Sequence, residues 1–553
     1  MADWKLPTYQ LAENFSVCKP TIYPSVFSIP LFEKTEQTLM RGCYHNAEVA
    51  MVNRYLSVTT INDTQYDTKL VRSIIKELTT IIKPHFNGPK TLPEFMSTKK
   101  GRLRERYDKA TTLVLDRGFD PFKHNNIDAF IKQEIMDPSK NPRNILGRDS
   151  RFGLIYGLYT SALEDAMKYV PQCMKGKNFR ERGDYFRDVM FGEHYVENDF
   201  TRYEATQRKK FLVDVELGIW KELLNESDYK VIETLFNAKM LKKGQFSSGF
   251  EFSFMFCRGS GDMDTGLFNT LLNWVSIRYF EVVNGFPPGR FMCDGDDCVV
   301  RCPTGVKKIV DTFVLFGLIS KVIHKTDYHD VDFCSSKFIK VNKLGDFYQI
   351  QNIQKLLNNV SLMKSNDFKH CIGDYYYSLG FMYATMYPEF PLFRELANFL
   401  MRITSLKKRI VKMDLLRSLN PSLLESFKTG ALGLDIDKVQ ILTEYYVSFG
   451  VGPVEVDTVL SYLNNTNIVL EKHMDKAFKK SGFNRFKSSE EDYILVQKLQ
   501  RDIVLNGTWP TLDELHFSRA KKLGMVKTPW DAAIIIHGEH VRTIPDSAIT
   551  TIL

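Results

Sequence analysis

Asp199, near the end of the run Tyr195–Phe200 (YVENDF), and the adjacent Asp296 and Asp297 in GRFMCDGDDCVV are the residues best suited to do chemistry. Aspartates at strand ends suit divalent ions, because magnesium takes a few carboxylates together with water and substrate phosphates. Two such ions side by side can activate an attacking hydroxyl and neutralise a departing pyrophosphate, so the candidate chemistry is phosphoryl transfer. A bare GDD tripeptide is weak support, since chance alone supplies one in about a tenth of chains this long. Acidic surface turns are also commoner than active sites.

Other polar and basic residues add to that signal. Between the acidic sites lies CRGSGDMDTGLFNTLLN, where Ser260, Thr265 and Asn269 run through a Gly-rich loop into an emerging helix. The spacing of Thr265 and Asn269 sets them on one helical face. Taken alone, this segment reads better as an N-cap leading into a core helix. Basic clusters stand at Lys99, Lys100, Arg102, Arg104, Arg106 and Lys109, at Lys140, Arg143, Arg148 and Arg151, and at Lys407, Lys408, Arg409 and Lys412. Any one of them is most simply a solvated helix face, whereas several together suit a channel for a polyanion.

In order, these segments resemble the palm motifs of RNA-dependent RNA polymerases from positive-strand RNA viruses. DFTRYE (Asp199–Glu204) is similar to motif A, SGDMDTGLFN (Ser260–Asn269) to motif B and CDGDDC (Cys293–Cys298) to motif C. KQEIMDPSKNPRNILGRDSR (Lys132–Arg151) resembles the basic motif F, and FCSSK (Phe333–Lys337) resembles motif E. The wording of SGDM and FCSS, with the upstream RGCYHNAEVAMVNR (Arg41–Arg54), points to the tombusvirus-like and flavivirus-like branch.

The resemblance implies that Asp199 and Asp296 hold two Mg2+ ions, or Mn2+ in their place, with Asp297 as an auxiliary ligand or a hydrogen-bond acceptor just behind the ligands. Glu204, Ser260, Thr265 and Asn269 would read the sugar, since a site built to bond the 2′-hydroxyl disfavours an analogue lacking it. The family usually has Asp where Glu204 stands, and the added methylene shifts the carboxylate by roughly 1.5 Å. Lys132, Lys140, Arg143, Arg148 and Arg151 would roof the incoming triphosphate, and Ser335 and Lys337 would touch template and primer. Of Lys321 and Lys325, Lys321 follows an FG turn as the family's motif D lysine does. It is the candidate general acid for the pyrophosphate. The implied partners are an RNA template and product strand, nucleoside triphosphates, and a viral protein that anchors replication to membranes of the host cytoplasm. A reverse transcriptase is opposed by Glu204, where a bulky group would be usual, and by GDD. A non-catalytic RNA-binding scaffold is opposed by the intact carboxylates.

The elements that must position these residues are partly legible. Apolar spacing predicts a helix over Tyr66–Lys83 closed by Pro84, a basic helix over Arg102–Leu115, and helical periodicity from Glu204 to Leu224. Gly289–Val300 reads as strand flanking a tight turn that Gly295 permits. Beyond about Gln354 the pattern is helical, as in Leu392–Lys407 and Asp492–Val504. The expected class is therefore α+β, and the resemblance implies a closed right hand. Its parts would be an N-terminal bridge (1–85), fingers (86–190 and 207–253), palm (191–206 and 254–353) and a helical thumb (354–553). At 553 residues, with 44% hydrophobic and 25% charged residues and a net charge of +8, the chain suits a multi-lobed globular protein. The 9 cysteines show no CxxC pair, which argues for reduced thiols rather than a zinc site. Neither a leader sequence nor a membrane-spanning apolar run is expected.

Overall fold

A computed structural model describes residue 29 and residues 38–40, 42–56, 64–132, 135–136, 140–255, 257–304, 308–361, 372–387, 389–404 and 434–466. Their strands form small sheets, and the described elements after Gln351 are helical, so the architecture is α+β. β1 (Thr38–Leu39) pairs with β3 (Ile135–Met136). A second sheet has the order β4 (Asn144–Arg148), β2 (Ile127–Ile131), β6 (Leu241–Phe246), β7 (Glu251–Met255). The sheet that carries the acidic residues is antiparallel throughout. Its order is β10 (Ser320–Lys325), β5 (Tyr195–Phe200), β9 (Asp297–Arg301), β8 (Phe291–Asp294). β11 (Ser336–Lys340) and β12 (Phe347–Gln351) form a hairpin beside it.

Strict alternation along β5, β8 and β9 gives this sheet two apolar faces. Val196, Phe291, Cys293, Cys298 and Val300 pack into a core shared with the helices Ser150–Met167 and Thr265–Asn284. Tyr195, Met292 and Val299 point the other way, against Phe186, Phe338 and Phe347. Burial on both sides fixes register, because a one-residue slip would exchange the two faces. The helix Thr265–Asn284 is buried nearly all round and ends at Gly285, whose φ of 68° supplies a left-handed cap.

Two expected helices are found at Thr68–Ile82, capped by Asp67, and at Gly101–Arg117. Glu204–Leu224 is not one continuous helix. A short helix, Tyr203–Thr206, stops at Gln207, whose backbone is extended (φ −72°, ψ 97°), and helical geometry resumes at Lys209. The C-terminal helices Ile353–Val360, Ile372–Met386, Phe393–Arg402, Lys438–Phe449 and Pro453–Asn465 share a core around Tyr376, Leu396, Leu400 and Tyr445, joined by Ile339, Tyr348 and Ile350 of the β11–β12 hairpin. Phe393–Arg402 corresponds to the helix expected over Leu392–Lys407. The one expected at Asp492–Val504 and the basic cluster from Lys407 to Lys412 lie outside the described residues. No described helix is long and apolar enough to cross a membrane.

Candidate active site

Register brings the acidic residues together. Lys321 on β10 pairs with Asp199 on β5, and Asp297 on β9 pairs with Asp294 on β8. Asp199 lies one step beyond the last pair between β5 and β9, Asn198–Cys298, which sets it beside Asp297. Neighbouring strands are about 5 Å apart. Lys321, Asp199, Asp297 and Asp294 therefore form one row across the sheet, on the same face, while Asp296 occupies the turn between β8 and β9. Asp199, Asp296 and Asp297 are exposed.

The turn is held through its main chain. Gly295 has φ 67°, and its N–H donates to Thr270 Oγ1 at 2.9 Å. Asn273 Nδ2 donates to the carbonyls of Gly295 and Asp296, both at 3.1 Å. Asp294 is instead tied by its side chain to the buried Arg182, at 2.7 Å. Crowding by protein, then the nearby Glu204, raises the Asp296 carboxyl above its ordinary range, against the pull of Arg143 and Arg54. The same crowding, then the charges of Asp296, Asp294 and Asp199, lifts Asp297 to about 6, against a hydrogen bond from Cys334. Such shifts mark carboxyls crowded by protein first and by like charges second.

The residues that resemblance assigns to sugar recognition come from separate elements and meet at this end of the sheet. Glu204 sits on the short helix after β5, with Arg54 Nη2 at 3.6 Å from its carboxylate. Ser260 is buried, and its N–H donates to Tyr55 Oη at 3.1 Å. Asn269 Oδ1 accepts from Gln207 Nε2 at 2.8 Å, and Gln207 Oε1 accepts from Arg258 Nε at 2.9 Å. Thr265 is engaged differently: its hydroxyl bonds the carbonyls of Gly259 (2.7 Å) and Asp262 (2.8 Å), shaping the loop.

Beneath this group lies a charge network that the sequence did not announce. Arg258 donates to Asp264 at 2.8 Å and to Glu216 at 2.6 Å. Lys239 contacts both acids as well, and Tyr156 Oη donates to Asp264 at 2.8 Å. All five are buried. Burial works against the Asp264 charge, but Lys239 and Arg258 more than offset it and hold its carboxyl well below the usual range. Two cations against two carboxylates leave the network neutral, which is the condition for burying charge at tolerable cost.

The structure separates the expected basic residues. Arg143 is exposed and close enough to act on Asp296. Lys132 bonds the Arg143 carbonyl through its backbone N–H at 2.7 Å, and Lys140 is exposed. Arg148 differs from the expectation: it is buried and bonded to Asp262 Oδ1 at 2.7 Å, so its guanidinium braces the Gly-rich loop. Arg151 pairs with Asp149 at 2.7 Å and lines a cleft of about 400 Å³ with Arg102, Arg106 and Lys109. Lys337 donates to the His329 carbonyl at 2.6 Å, and Ser335 accepts from Lys355 at 3.0 Å. Lys325 lies opposite Tyr195, at the far end of β5 from Asp199.

Among the described residues no group of three or more His, Cys, Asp or Glu side chains forms a preassembled metal cage. The donors present are carboxylate oxygens of Asp199, Asp296 and Asp297, hard ligands of the kind magnesium takes alongside water and phosphate. The raised carboxyls of Asp296 and Asp297 mark a negative potential that a cation would relieve.

A family model described as viral RNA dependent RNA polymerase matches residues 25–471. The chain is also 28% identical over 231 residues to the RNA-directed RNA polymerase of Groundnut rosette virus (strain MC1). That match covers 38% of this chain and only 27% of the relative's length.

Proposed function

The chain belongs to the viral RNA-dependent RNA polymerase family, and from that premise we propose that it copies RNA from ribonucleoside triphosphates to replicate a positive-strand RNA genome. The observation that carries this reading is the row Lys321–Asp199–Asp297, with Asp296 at its edge and Arg143 nearby. Divalent ions bound there would lower the charge barrier between the attacking 3′-hydroxyl and the triphosphate.

The protein's own groups do the rest. Asp199, Asp296 and Asp297 would hold the ions. Arg143, with Lys132 and Lys140, meets the triphosphate, and Arg, unlike Lys, can grip two phosphate oxygens at once. Lys321, across from Asp199, gives a proton to the departing pyrophosphate. Glu204, Ser260 and Asn269 accept or donate at the ribose hydroxyls, while Thr265 and Arg148 keep the loop in shape. Ser335 and Lys337, at the open end of the β11–β12 hairpin, tie it to Lys355 and the His329 carbonyl beside the product strand. The right-hand division follows the family, with the sheet of β10, β5, β9 and β8 as palm, that of β4, β2, β6 and β7 in the fingers, and the C-terminal helices as thumb. The first 85 residues would bridge fingers and thumb and enclose the site. A separate viral partner would bring the enzyme to cytoplasmic membranes.

Polymerisation on a poly(rC) template with Mg2+ or Mn2+ tests this directly. Labelled GTP gives RNA product, and Asp296→Asn lowers the rate by on the order of 10³-fold, as loss of a main electrostatic contributor does. DNA product from dGTP would make the enzyme a reverse transcriptase. Template binding without product, or full activity in Asp296→Asn, would refute the proposal.

A further inference from the structure

The helix Tyr44–Met51 runs into a π-helical turn, Val52–Leu56, and consecutive residues of that turn reach two different parts of the site. Arg54 pairs with Glu204 at 3.6 Å, with side chains only 18% and 16% exposed. Tyr55 accepts the Ser260 N–H at 3.1 Å, and its ring stacks on Phe254 with centroids 5.2 Å apart. Burial, then the charge of Glu204, pushes the Tyr55 phenol well above its ordinary range, so it stays neutral. One turn far upstream in sequence thus touches Glu204 by its side chain and Ser260 by its backbone.

Glu204 needs such a restraint. It has one more rotatable bond than the aspartate usual at this position, so an unheld carboxylate would spread over several staggered positions. A half-buried guanidinium narrows that spread while occupying only part of the carboxylate, which offers about four acceptor sites. The short helix that carries Glu204 adds little rigidity of its own, since it spans only Tyr203–Thr206 and follows Arg202 at φ 55°.

We propose that Arg54 is a specificity-determining positioning residue that holds the Glu204 carboxylate where it accepts a hydroxyl of the incoming ribose. This rests on the reading of Glu204 as a sugar contact, so its test must separate the two. Single-nucleotide incorporation of GTP and dGTP on an RNA template is measured for wild type, Arg54→Gln, Arg54→Lys, Glu204→Gln and the Arg54→Gln/Glu204→Gln pair. Thermal melting checks that each variant is folded.

Arg54→Gln lowers the ratio of kcat/KM for GTP over dGTP by about tenfold, the size of one well-placed hydrogen bond to a charged group. The loss falls on the GTP side. Arg54→Lys, which keeps the charge, restores part of the ratio. The double variant discriminates no worse than Glu204→Gln alone, because both changes act through one contact. Equal losses for GTP and dGTP would make Arg54 a triphosphate ligand or a fold residue and overturn the proposal. Additive losses in the double variant would overturn it as well. If Glu204→Gln discriminates like wild type, the sugar-contact reading of Glu204 fails and takes this role with it. If Glu204→Gln loses discrimination and Arg54→Gln does not, only the role of Arg54 fails.

Discussion

Asp297→Asn should stabilise the metal-free protein while disabling it. Crowding and the charges of Asp296, Asp294 and Asp199 raise the Asp297 carboxyl from 3.8 to about 6. Two pKa units correspond to roughly 3 kcal/mol, and because Asp297 is exposed, solvent screening reduces this to about 1 kcal/mol. An acid whose folded pKa lies above its unfolded value disfavours folding when ionised. That penalty is full above about pH 6, fades as pH falls towards about 4, and is gone below it. In EDTA at about pH 7.5 the Asn variant should therefore melt about 1–2 °C above wild type. The gap should close near pH 4. Added Mg2+ should raise the melting temperature of wild type more than that of the variant, since a ligand stabilises the state that binds it. Differential scanning fluorimetry across pH, with and without Mg2+, reads all of this. A variant that melts below wild type in EDTA at about pH 7.5, or a gap independent of pH, would refute the claim that Asp297 sits among repelling carboxylates.

Lys321→Leu should lower turnover by about 10²-fold or more, the range for a general acid, with a larger effect on kcat than on KM in steady-state incorporation; an unchanged turnover rules out the role. Arg258→Met leaves Glu216 and Asp264 with Lys239 as their remaining cation. It should cost about 3–5 kcal/mol in urea denaturation, the penalty for an uncompensated buried charge, and a midpoint within error of wild type would show that the network is not what holds these elements together.

Local signals were readable where one segment contained both the pattern and its cause. Tyr195–Phe200 alternates, ends beside an acid and is a strand of that extent. The periodic stretch closed by Pro84 is the helix Thr68–Ile82. Long-range partners were not readable. Gln207 looks helical in sequence, yet its side chain bridges Asn269 and Arg258, and those hydrogen bonds outweigh its modest helical preference. Arg148 sits in a run of cations like any roof residue, and only the fold reveals that Asp262 claims it. Arg54 closes the upstream segment that points to the branch, but nothing local gives a role to it or to Tyr55, since their partners lie far along the chain. Thr270 and Asn273 follow directly after the recognised polar loop, so their closeness to Asn269 was the available hint.

How the acidic turn is held bears on what it can bind. Packing like charges together calls for a rigid frame, and cations paired to each carboxylate would be the simplest one. Among the described residues, however, no salt bridge engages Asp199, Asp296 or Asp297, while Asp294 in the same row is tied to Arg182. The turn is fixed instead by Thr270 and Asn273, which bond its N–H and carbonyls and bring no positive charge to the carboxylates. Neutral pins on the main chain give rigidity without a competing positive charge. A lysine or arginine in their place would satisfy the aspartates and weaken divalent-ion binding by the same electrostatics. The balanced charges of Arg258, Lys239, Glu216 and Asp264 are buried apart from the turn, where they brace the Gly-rich loop and add no net charge to the site.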